Sequence, residues 1–370
     1  MSTVKPGSMR WDALAVLAAC VLLPLAGAWA AGRDLAPLFR FPPPLEIPDY
    51  PRFSWIAVSI VGAVSVAVAW PWVRRRAPRQ DSLSRPKSPA GAFPVWGWAG
   101  LIWTGVWWWL AWTRQPWFSW GQSYTFTPLW LGFIVVVNAL TFRRAGTCLL
   151  RRSPWGMARL FVASAVFWWL FEWLNRYVRN WHYLGVAGVG PLEYGLHTTV
   201  CFSTVLPAVA SAREWLGTWP RLEARLAIGP AWRPMTGRTV ALALLGVGTA
   251  GLLCTGAWPV YSYPALWMAP LLLGVGVASL RGRAGWWTRI AAGDWSEAGA
   301  WALAALFCGF FWELWNLHSQ AKWIYTVPFA QRWQVFEMPL AGYTGYLPFG
   351  LECGLVVAWL AAAQGRALAH

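Results

Sequence analysis

"GFFWELWN" (residues 309–316) closes an apolar run with a carboxylate and an amide, and "WWLFEWLN" (residues 168–175) does the same 141 positions earlier. Glu313 and Asn316, like Glu172 and Asn175, keep a spacing of three that sets both side chains on one face of a helix. A carboxylate within a membrane-spanning helix costs a few kcal/mol on insertion scales, so it faces the protein interior or a wet cavity and finds partners there. Two such helices with the same aromatic neighbours point to a duplicated membrane unit.

The rest of the chain fits that reading. Of 370 residues, 58% are hydrophobic and 12% charged, against roughly 25% charged in soluble domains. The expected fold class is all-α, a polytopic integral membrane bundle. With about 20 apolar residues per crossing, ten transmembrane helices are expected. They run near Trp11 to Ala31, Phe53 to Val73, Phe93 to Thr113, Thr127 to Phe142, Trp155 to Asn175, Leu192 to Ala212, Thr239 to Trp258, Pro264 to Leu280, Ala298 to Asn316 and Leu340 to Ala363. The first has a rival reading as a signal peptide, because Lys5 and Arg10 precede a short apolar stretch ending in Ala28, Trp29 and Ala30. The six cysteines include no C-x-x-C pair and read as small buried hydrophobes.

The net charge of +16 raises the question of nucleic acid, and the positions of the cations answer it. With a cytoplasmic N-terminus, 22 of the 30 Lys and Arg fall in segments on the inner side, notably "RRRAPRQDSLSRPK" (residues 74–87) and "RRAGTCLLRR" (residues 143–152). These are short topogenic loops that touch anionic lipid heads, and nucleic acid is excluded as a partner. The expected location is the bacterial-type cytoplasmic (inner) membrane, multi-pass, with both termini cytoplasmic. Between the first two spans, "GRDLAPLFRFPPPLEIPDYPRF" (residues 32–53) is too polar and too proline-broken to cross, and reads as an outer cap.

The repeat extends beyond the Glu and Asn pairs. "SYTFTPLWLGF" (residues 123–133) corresponds to "VYSYPALWMAP" (residues 260–270) at an offset of 137, and Trp181 and Tyr183 match Trp323 and Tyr325 at 142. Each unit then holds four spans, and an even number of spans makes the repeat parallel, about an axis along the membrane normal. The expected division is two N-terminal helices with a basic linker (1–92), a first four-helix repeat (93–238) and a second (239–370).

Polar residues gather near the outer ends of each unit. Glu172, Glu313, Glu193, Glu337 and His197 are the acid and base candidates, with Glu193 and His197 four apart on one face in "PLEYGLH". Asn175 and Asn316 would orient the carboxylates. Arg176, Arg179 and Lys322 would receive an anionic head group, while Tyr183, Tyr325 and Trp312 would line the slot. Glu-x-x-His, the spacing of carboxylate-bridged di-iron bundles, is absent, and no metal site is assigned. No nucleotide loop, nucleophile elbow or kinase motif occurs, and no cofactor or oligomeric state follows. Residues 188–200, "GVGPLEYGLHTTV", resemble the P-x-E-E segment of the membrane-embedded lycopene cyclases. Tyr194 replaces the second acid and the second unit lacks the motif, so the resemblance stops short of membership.

The expected function is to bind or act on a lipid or isoprenoid-type molecule in a cavity near the outer leaflet, with membrane lipids as partners. A proton-coupled secondary transporter, with Glu352 deeper in the last span, is the alternative class. A structural subunit whose Glu and Asn pairs are interhelical staples is another. Reporter fusions after Arg76, Arg152 and Arg238 are expected to read cytoplasmic, and a periplasmic signal at any of them refutes this orientation or span count.

Overall fold

The computed structural model describes residues 6–74, 91–186 and 188–362. The basic stretch at 75–87, Lys5 and Arg366 lie outside the described residues. In chain order the helices are α1 (Pro6–Ala30), α2 (Trp55–Arg74), α3 (Val95–Trp112), α4 (Phe126–Ala145), α5 (Leu149–Arg152), α6 (Pro154–Val178), α7 (Pro191–Phe202) and α8 (Val205–Leu216). They continue as α9 (Pro220–Leu226), α10 (Arg238–Ala257), α11 (Pro259–Ser262), α12 (Ala265–Leu280), α13 (Trp286–Ala291), α14 (Ser296–Asn316) and α15 (Tyr346–Ala362).

Among the described residues, seven stretches are long and apolar enough to cross a membrane: Arg10–Ala30, Phe126–Ala145, Pro154–Val178, Pro191–Leu216, Arg238–Ala257, Ser296–Asn316 and Leu340–Ala362. The three other expected spans are also helical. α3 has 18 residues crowded with Trp, α12 has 16, and the apolar part of α2 is Trp55–Val68.

One expected span is two helices. α7 and α8 are separated by a turn at Ser203 and Thr204, because Pro207 has no N–H to offer the carbonyl of Ser203. The gap is filled from α6. Fully buried Ser164 donates to the Phe202 carbonyl (2.6 Å) and accepts the Leu206 N–H (3.0 Å), standing between two groups that would pair in an unbroken helix. α12 instead runs unbroken through Pro270. Beside it Glu352 of α15, 2% exposed, accepts the Leu271 N–H at 3.1 Å.

Two short ribbons are additions to the expected all-helical fold. β1 (Trp181–Leu184) pairs antiparallel with β2 (Lys322–Tyr325), and β3 (Gln334–Val335) with β4 (Met338–Pro339). The β1–β2 ribbon closes one end of the bundle, where α6 and α14 finish. The proline-rich loop after α1 lies over this end. The Tyr50 hydroxyl donates to the Val178 carbonyl, the Arg176 guanidinium holds the Leu38 and Arg40 carbonyls, and Phe53 bridges to Ala330. Ion pairs tie the other end: Asp12 to Arg281 and Arg283, Arg152 to Glu214, and Arg289 to Asp294.

Between lipid-facing helices there is little hydrophobic drive, so close contact of small residues has to supply association. α1 meets α10 this way: a Cβ on Gly256 would land on the Pro24 carbonyl, and one on Gly27 on the Leu253 carbonyl. Gly256→Leu is therefore expected to push α1 off the bundle and lower the melting temperature of detergent-purified protein sharply. An unchanged melting transition refutes this close contact.

Candidate functional site

The site is built where two helices end. The side-chain amide of Asn175 accepts the N–H groups of Asn180 (2.7 Å) and Trp181 (3.4 Å) and donates to the Trp181 carbonyl (2.9 Å). Asn316 does the same to Trp323, accepting its N–H at 2.8 Å and donating to its carbonyl at 2.7 Å. Each amide thus acts as a strand partner for the residue that opens β1 or follows the start of β2. The asparagines were expected to orient the carboxylates; the hydrogen bonds show them fixing the strands that carry the tyrosines instead.

In the ribbon Trp181 stands opposite Tyr325, and Tyr183 opposite Trp323. Side chains alternate along a strand, so these four share one face. All four line a largely apolar chamber of about 160 Å³ whose other walls include Trp168, Trp267, Trp312, Tyr194, His197 and Tyr346. The indole of Trp130 lies 4.8 Å from that of Trp312, and Trp267 stacks 5.2 Å from Phe171.

Behind the aromatic faces stand the carboxylates. One oxygen of Glu172 accepts from the Tyr183 hydroxyl (2.6 Å), the Trp181 indole (2.9 Å) and the Trp168 indole (3.1 Å). One oxygen of Glu313 accepts from the hydroxyls of Tyr325 (2.7 Å) and Tyr346 (3.0 Å), and Trp323 donates in turn to Tyr325 at 2.8 Å. The second oxygen of fully buried Glu313 has no hydrogen-bond partner among the described residues. Tyr346 reaches Glu313 because Gly309 leaves room: a Cβ there would collide with the tyrosine ring. Burial in the ribbon pushes the phenols of Tyr183 and Tyr325 well above their ordinary range, and the neighbouring carboxylates add to it. Both are protonated donors at neutral pH.

The remaining expected residues form smaller groups. Tyr124 donates to Glu193 and stacks on His197 with ring centroids 4.7 Å apart, and both rings line the chamber. Lys322 is ion-paired with Glu337. Arg176 and Arg179 lie outside the aromatic chamber, beside a second cavity that Glu172 also lines. Among the described residues no set of three His, Cys, Asp or Glu is arranged to hold a metal ion.

Sequence reasoning missed Trp168, Trp181, Tyr346 and Tyr124 as partners of the acids. Trp168 had a signal, since it lies one helical turn before Glu172. Tyr346 had none, because its partner is 33 residues away. Compared with protein-family profiles, curated protein sequences and solved structures, the chain matches none.

Replacing Asn316 by Leu removes both hydrogen bonds to Trp323 and buries unpaired backbone groups. The expected loss is about 2–4 kcal/mol of stability, read from thermal or denaturant unfolding in detergent. Stability equal to wild type refutes the amide clamp.

Proposed function

We propose that the chain is a bacterial inner-membrane protein whose aromatic chamber binds and acts on a lipid or isoprenoid-type molecule, by proton transfer through the Tyr325–Glu313 and Tyr183–Glu172 pairs. One observation carries this reading: two phenols, each backed by a carboxylate, face one apolar chamber. A phenol so placed can take a proton from a bound molecule while passing its own to the carboxylate, or run the exchange in reverse, and general acid–base transfer of this kind contributes about 10²–10⁴-fold. Indole faces suit a chain of double bonds and favour positive charge developing above them. Tyr194 and His197 complete the wall, and Trp312 stacks on Tyr346 to hold its hydroxyl toward Glu313.

The same proposal includes about ten spans and two tandem four-helix units, at 93–238 and 239–370, with the ribbon end outside and both termini cytoplasmic. The ribbon's register supports the duplication. Exchanging residue 181 with 323 and 183 with 325 leaves the observed pairs unchanged. Because matched residues sit on the same ribbon face, the relating two-fold runs perpendicular to the ribbon, as a parallel repeat requires. Trp130 on Trp312 and Trp267 on Phe171 are reciprocal contacts under the same exchange.

The transporter alternative draws on one observation, the second oxygen of buried Glu352, near Pro270, which has no hydrogen-bond partner among the described residues. That group lies away from the ribbon and its chamber-facing tyrosines, so the enzyme reading is preferred.

Protein purified from native membrane is expected to carry an apolar-chain lipid, identified by mass spectrometry. Gly345→Trp, which places an indole in the chamber, should lose it. Tyr325→Phe and Glu313→Gln should keep the lipid and the melting temperature while turnover falls about 10²–10⁴-fold. Full lipid content in Gly345→Trp, or full turnover with a lowered melting temperature in Glu313→Gln, refutes the reading; the second result makes the carboxylates staples.

A further inference from the structure

The second cavity differs in kind from the first. It encloses about 280 Å³ between the proline-rich loop and the end of α6, and Arg33, Arg176 and Arg179 all line it. Arg33 and Arg176 are half-buried and held by main-chain carbonyls: one Arg33 nitrogen donates to Gly256 (2.6 Å), and one Arg176 nitrogen to Leu38 (2.8 Å) and Arg40 (2.7 Å). Among the described residues neither forms an ion pair.

Three carboxylates share the cavity wall, and all are engaged. Glu46 is ion-paired with Arg40 and Arg179, Asp34 accepts the Ala36 N–H, and an oxygen of Glu172 takes three donors. The charge of Glu172 acts on Arg176 from nearby, yet among the described residues no carboxylate is ion-paired with Arg33 or Arg176, whose guanidiniums keep further N–H groups. A guanidinium does not shed its proton to escape this cost, and partly desolvated charge is stabilised when an anion completes its hydrogen bonds. Guanidinium forks fit the oxygens of a phosphate, which they can engage two at a time.

The cavity also adjoins the aromatic chamber. Trp181, Tyr183, Leu184, Gly185, Val186 and Tyr194 belong to the walls of both. The polar, arginine-bearing cavity and the apolar one thus meet along β1 and the turn after it. We infer that the Arg33–Arg176–Arg179 cavity receives the phosphate group of an amphiphile whose apolar chain is accommodated on the aromatic side. This rests on the reading of that chamber as a lipid or isoprenoid site. Tyr183 and Glu172 then stand at the junction of head and chain, and the substrate class narrows from any apolar lipid to a phosphorylated one.

The test is equilibrium binding of geranylgeranyl phosphate, geranylgeraniol and inorganic phosphate to the full-length protein in a neutral detergent. Wild type should prefer the prenyl phosphate to the alcohol. The paired Arg33→Gln and Arg176→Gln substitutions should weaken the phosphate at least about tenfold, the worth of one charge-assisted hydrogen bond, and leave the alcohol unchanged. Arg33→Lys alone, which keeps the charge and loses the fork, should fold as wild type and bind the prenyl phosphate with intermediate affinity. Displacement of the prenyl phosphate by inorganic phosphate supports a site that also takes free phosphate, and resistance to it supports one that needs the lipid. Equal wild-type affinity for phosphate and alcohol overturns the inference, as does an unchanged phosphate affinity in the Arg variants. Arg-dependent binding of inorganic phosphate without either prenyl compound refutes the apolar-chamber reading and with it the amphiphile, leaving a plain anion site.

Discussion

A chain that leaves its helix at the edge of a bilayer must find partners for every N–H and C=O it frees. Here the pairing of β1 with β2 does this for both strands at once, and Asn175, one turn before the end of α6, and Asn316, the last residue of α14, make it possible. The amide holds Trp181 or Trp323 by both backbone groups, which aims the strand back across the bundle. From that aim follows the position of each tyrosine against the carboxylate of its own helix, and the roof of the chamber is the inner face of the ribbon. The site's polar groups thus depend on main-chain hydrogen bonds more than on the loops around them.

Much of this was legible in the sequence at the level of helices. The apolar runs marked the spans, and the cost of a carboxylate among them marked Glu172 and Glu313. The spacing of three also put each Asn near its Glu. What the spacing could not carry was the direction of the amide, because a side chain on the right face of a helix can meet a neighbouring helix, a cavity or its own returning chain. Trp181 and Tyr183 were visible as matched landmarks, yet four residues between two helices hold too little alternation to read as a strand, and their partner strand lies about 140 positions away. The break in the span at Ser203 was hidden for a related reason. Pro207 announces it, but the Ser164 hydroxyl that repairs it belongs to another helix.

The two cavities show how one strand can face two environments. On the aromatic side Glu313 is fully buried, where a low local dielectric strengthens the hydrogen bonds made to it. On the other side, Arg33 and Arg176 are held by main-chain carbonyls, and Arg179 by Glu46. Trp181 and Tyr183 line both, so the same two side chains meet the polar and the apolar surroundings.

The register of that ribbon also bears on the history of the chain. A pair of strands whose partners exchange under a two-fold is what an isologous interface presents between identical subunits. If the halves descend from one unit, that unit alone would have carried an unsatisfied strand edge, and association with a second copy would have covered it. Fusion would then have freed each copy to change wherever the strand pair makes no demand, which fits an arginine cluster on one side and the Lys322–Glu337 pair on the other.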